Sequence, residues 1–109
     1  MKIIPRQTYR VAVGAALLAF ALAANAEGDK HARNISASCA ACHGTDGNSV
    51  GGTPVLAGLD RAHFIKQMQD FKSGARPATV MHHHAKGYSD DEITLMAGFF
   101  AAQKRAPAQ

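Results

Sequence analysis

The stretch "SASCAACHGTDGNS", residues 36–49, decides how this chain is read. It holds both cysteines of the 109-residue sequence and one of its six histidines. Cys39 and Cys42 are separated by two residues, and His43 follows at once. Three chemistries compete for such a pair. A disulfide across two intervening residues closes a tiny loop, so its entropic stabilisation is small. A thiol–disulfide oxidoreductase carries C-x-x-C after a strand in a βαβ pattern, and no strand pattern is present downstream. A zinc site needs four ligands, usually with a second closely spaced pair, which the run His82, His83 and His84 could supply.

Working outward, the first 26 residues have the form of a secretory signal. Lys2, Arg6 and Arg10 precede the apolar run "VAVGAALLAFALAA", and "ANA" at 24–26 is a small-x-small cleavage site. The run is short for a membrane span, which weighs against an uncleaved anchor. Cleavage after Ala26 changes the charge balance. The full chain has 12 Lys+Arg against 8 Asp+Glu, and losing the three signal residues leaves 9 against 8. No basic face of the kind that binds nucleic acid remains. The mature part, 27–109, has no Trp, and Phe64, Phe71, Tyr88, Phe99 and Phe100 are its large aromatics. A chain this short buries a thin core and needs a staple or a cofactor.

C-x-x-C-H has a more specific reading than any of the three above: it is the attachment site of a c-type haem. Two thiols add to the two vinyl groups on one porphyrin edge, and the adjacent His43 donates a ring nitrogen to iron as proximal ligand. Export fits this chemistry, since such haems are attached outside the bacterial cytoplasm.

The remaining sequence reads as helices and two long loops. "DKHARNISASCAA", 29–41, is proline-free and helix-forming; "HGTDGNSVGGTPVLAG", 43–58, is loop. Asp60 caps a second helix that Gly74 ends, with Phe64, Met68 and Phe71 on one stripe. "GARPATVMHHHAKGY", 74–88, reads as a second loop, broken by Pro77 and Gly87. "SDDE", 89–92, is a capping box opening a last helix over about 90–104, with Ile93, Met96, Phe99 and Phe100 inward. Lys104 and Arg105 suit its negative end, and the tail "APAQ" is expected to fray. Loops this long need something to fill the middle of the molecule, and a buried porphyrin supplies apolar area that the side chains lack. The expected fold is all-α: three to five helices wrapped around one covalent haem.

The sixth iron position has several candidates. Met68 and Met96 lie on helix stripes, where Met is core filler. Met81 sits in a loop with no stripe to explain it and is the favoured distal ligand; one of His82, His83 or His84 is the rival. A thioether raises the potential relative to a second imidazole. Two strong ligands leave no open position, which argues for electron transfer. The His run otherwise reads as solvated side chains, a docking patch that charges near neutral pH, or an adventitious metal site. His31 and His63 read as surface residues.

"CAACHGTDGNSVGGTPVLAG", "FIKQMQDFKSGARPATVM", "HHHAKGYSDDEI" and "MAGFFAAQ" together resemble a class I cytochrome c. More narrowly they are similar to the cytochrome subunit of flavocytochrome c, the sulfide dehydrogenase. The resemblance implies that Cys39 and Cys42 hold the haem, that His43 is proximal and Met81 distal, and that the Pro54 carbonyl holds the ring N–H of His43. It implies a periplasmic monohaem domain over 27–109. This domain would take single electrons from an FAD flavoprotein that oxidises sulfide and pass them to a soluble acceptor, doing no bond-making itself. Some members carry two haem domains where this chain has one motif, and His82 to His84 depart from the expected pattern. Two other readings stay open: a free electron shuttle serving another dehydrogenase or an oxidase, and a haem-based sensor with a displaceable Met81.

Overall fold

The computed structural model describes residues 29–107. The export signal expected over 1–26 lies outside the described residues. The chain divides between Lys30 and His31 into two units, and the contacts below all belong to the second.

Helix α1 covers 29–36 and tightens into a 3-10 turn over Ala37–Cys39, after which α2, Ala40–His43, closes the motif. The continuous helix expected over 29–41 is therefore two α segments joined by a tighter turn, and the motif stays helical through His43. Gly44, at φ 78, stops it, and a single 3-10 turn, Thr45–Gly47, interrupts the loop that follows.

Helix α3, Arg61–Ser73, runs between the boundaries that its caps set. Asp60 Oδ1 accepts from the His63 backbone N–H at 2.9 Å, and Gly74 takes the left-handed conformation at φ 85. Helix α5, Asp90–Ala102, opens on the expected capping box: the Ser89 hydroxyl accepts from the Glu92 N–H, and the Glu92 carboxylate accepts from the Ser89 N–H. It ends two residues before the expected 104, because Gln103 is extended.

The second loop is where the sequence reading is corrected. Met81–Lys86 is a helix, α4, between Val80 and Gly87. The segment holds neither Pro nor Gly, so nothing forbids a helix, yet six residues are too few to form one unaided. Packing supplies the difference: Ala85 is fully buried in the core shared with α3 and α5.

That core is small. Phe64, Met68, Ala85, Ile93, Met96, Ala97 and Phe100 form one cluster, with Ile35, Cys39, Leu56, Leu59, Ile65, Phe71, Met81, Tyr88 and Phe99 packed partly against it. Phe64 of α3 meets Phe100 of α5 at 5.5 Å between ring centroids, and Phe99 stands edge-on to Phe100 at 5.2 Å. Met68 and Met96 are core residues, as their stripes implied. The C-terminal segment is tied down rather than frayed at Ala106: its N–H donates to Asn48 Oδ1 at 2.8 Å, and Asn48 Nδ2 donates to the Lys104 carbonyl at 3.1 Å. The described residues contain no strand, and no described helix is long and apolar enough to cross a membrane.

Candidate functional site

Because the motif is helical, residues three and four apart share a face. Cys39 and Cys42 therefore project together, with His43 one turn from Cys39. Neither sulfur is in a disulfide. Cys39 is half-buried, and that burial pushes its thiol above the usual range, partly offset by the neighbouring Ser38 hydroxyl. Cys42 is exposed.

His43 is buried, 8 % exposed. Its Nδ1 lies 2.7 Å from the carbonyl oxygen of Pro54, eleven residues on. A carbonyl only accepts, so Nδ1 carries the hydrogen and Nε2 of the neutral ring keeps a free lone pair. Such a bond fixes tautomer and ring orientation and raises the basicity of the far nitrogen. The donor set suits a haem: two free sulfurs on one helical face, beside an imidazole committed on one nitrogen and open on the other.

The loop geometry depends on Gly47. Its carbonyl accepts from both Leu56 N–H at 2.8 Å and Ala57 N–H at 3.1 Å, closing the loop that brings Pro54 back to His43. Its φ is 78, and a Cβ there would stand 2.8 Å from Leu56 Cβ, 2.9 Å from the Ala57 nitrogen and 2.9 Å from Phe100 Cδ1. The sequence reading noted the glycines of this stretch only as loop formers and missed this position.

Met81, expected in a loop, is the first residue of α4 and is half-buried against the same apolar cluster that receives Cys39. Of the His run, His83 and His84 are exposed, as a solvated reading implied. His82 departs from it: the side chain is half-buried, Nδ1 is buried without a hydrogen-bond partner, and the ring lies 3.9 Å from that of His83. Among the described residues no three His, Cys, Asp or Glu side chains are placed to share one metal ion, so the His run does not join the cysteines as a zinc-type set. His31 and His63 are exposed. A cavity of about 180 Å³ beside Arg33, Ser36, Thr45 and Phe99 touches none of Cys39, Cys42, His43 or Met81.

The sequence model of the cytochrome c family matches residues 26–103. The chain is 48% identical over 66 residues to a cytochrome subunit of sulfide dehydrogenase from Chlorobaculum tepidum, covering 61% of this chain and 60% of that protein. It is 39% identical over 95 residues to a thiosulfate dehydrogenase electron acceptor from Stutzerimonas stutzeri, covering 81% of this chain and 44% of that one. A cytochrome c-553 from Helicobacter pylori is 33% identical over 97 residues, and there the match spans 87% of this chain and 98% of the relative.

Proposed function

The chain belongs to the cytochrome c family and is a monohaem electron carrier with one covalently bound haem c, and from that premise we propose that it is the haem subunit of a sulfide-oxidising flavoprotein complex. Residues 1–26 export it, and 27–109 work in the periplasm as a monohaem domain. Cys39 and Cys42 would hold the cofactor as thioethers, and His43, through Nε2, and Met81 would bind its iron. Bound in this way, haem supplies a one-electron couple. The Pro54 carbonyl keeps Nδ1 protonated, so the His43 ring neither rotates nor changes tautomer as charge comes and goes. The Met81 thioether favours the reduced state relative to a second imidazole. With His43 and Met81 both committed to the iron, the chain would leave no position there for a substrate. It takes electrons one at a time from the FAD of the partner and hands them to a soluble acceptor.

The observation that carries the site assignment is the 2.7 Å bond from buried His43 to Pro54. The partner assignment is supported by the likeness to the Chlorobaculum subunit. Mixing the secreted, haem-loaded chain with the flavoprotein from its own cells and adding sulfide tests it. Rapid flavoprotein-dependent appearance of the reduced haem spectrum is expected. Reduction by sulfide at the same rate without the flavoprotein, or none with it, rejects the subunit reading. A second reading, a free carrier serving another dehydrogenase or an oxidase, is favoured by the nearly full-length correspondence with the Helicobacter cytochrome c-553.

A further inference from the structure

Tyr88 lies one residue beyond Gly87, the C-cap of α4, and three segments meet on it. Its hydroxyl donates to the Ile35 carbonyl of α1 at 3.4 Å and stands 2.9 Å from the Ser38 hydroxyl. With its single hydrogen given to Ile35, it accepts from Ser38. Its own carbonyl accepts from Lys72 Nζ, at the end of α3, at 2.7 Å, and the same ammonium pairs with Asp90 at 3.1 Å. Ser38 is the residue before Cys39, and Tyr88 follows Gly87, the C-cap of the helix that Met81 opens. Ala85 packs α4 into the core, but packing leaves its two ends to other groups. Its N-cap, Val80, makes no side-chain cap bond, and the preceding 74–80 is irregular.

We infer that Tyr88 is a positioning residue for Met81: its hydroxyl ties the short helix that presents the thioether to the turn that carries the cysteines. The inference rests on the proposed ligation by Met81. A six-residue helix has little stability of its own, and this one has no side-chain cap at its start. A fixed link from its C-terminal end to the thiol-bearing turn holds the methionine in reach of iron and resists its displacement by outside ligands.

The test uses the full haem-loaded protein and imidazole as the competing ligand, read by loss of the long-wavelength absorption that a methionine–ferric iron bond gives. Tyr88→Phe keeps the ring and removes the hydroxyl. It should bind imidazole about fivefold more tightly than the parent, the effect of one ordinary hydrogen bond. Ser38→Ala removes the shorter of the two bonds made by the Tyr88 hydroxyl, so it should produce most of the same change, and adding it to Tyr88→Phe, which already lacks that bond, should add little. Asp60→Ala, which weakens the α3 cap far from this link, should lower the unfolding midpoint and leave imidazole affinity unchanged. Parent-like imidazole affinity in Tyr88→Phe, or strict additivity with Ser38→Ala, overturns the positioning role while leaving Met81 ligation standing. If Asp60→Ala raises affinity as much as Tyr88→Phe, the link is merely structural and the inference is overturned. A parent protein without the methionine band overturns both the ligation and the inference.

Discussion

Met81 was singled out because no helical stripe explained it, and it proves to be the first residue of a short helix, half-buried against the core. Met68 and Met96, by contrast, are 5% and 0% exposed within that core. Met81→Ala should lower the reduction potential and let carbon monoxide bind the reduced protein, whereas an unchanged redox titration moves the ligand elsewhere. Gly47 is the second residue on which the site turns. With φ 78 and three heavy atoms within 2.9 Å of a built Cβ, Gly47→Ala meets both a left-handed backbone penalty and overpacking. The expected loss is on the order of 3 kcal/mol, measured as a shift in the urea midpoint. Met81 stood out as a candidate in the sequence, but its helical setting and the part played by Gly47 were not legible beforehand. The His43–Pro54 pairing was implied only by likeness to known proteins, and the Gly47 contacts depend on Leu56 and Phe100, which no local pattern ties to it.

Among the elements, α3 and α5 were legible almost to the residue because their ends are decided locally. A cap bond joins groups two or three positions apart, so Asp60 with Gly74, and Ser89 with Glu92, announce themselves in the sequence. Ser89→Ala should cost about 1 kcal/mol, read by thermal unfolding. Glu92 makes the same cap depend on pH. Hydrogen bonds from the Ser89 backbone and hydroxyl hold its carboxyl below the ordinary glutamate value of 4.5. A lowered folded value means stabilisation that is complete above 4.5 and lost as pH falls through the folded value. The stability difference between the parent and Glu92→Ala should therefore be constant near neutral pH and shrink in acid; a difference that grows in acid contradicts the cap. Helix α4 was not legible, since it has no side-chain cap and is too short to show a period.

At the scale of the whole molecule, the apolar cluster among the described residues contains seven buried residues, of which Phe100, Ile93 and Met96 are the largest fully buried side chains. A core of that size is marginal for a chain this short, so the expectation is that a covalent haem completes it. Replacing Cys39 and Cys42 together by Ser should give secreted chain without covalent haem and with little far-ultraviolet helical signal. A helical, cooperatively unfolding double variant would show that the side chains suffice.

What the sequence determined by itself was the chemistry and the local elements: C-x-x-C-H at Cys39, Cys42 and His43, the two long capped helices, and the methionines that belong to the core. These depend on groups within a turn or two of one another. Tertiary structure alone decided that α4 forms, that Ala106 is held by Asn48 fifty-eight residues away, and that Tyr88 reaches Ser38 across fifty. Each of those rests on burial or a hydrogen bond between distant positions, whose free energy exists only once the chain has closed, so no short window of residues carries its signature.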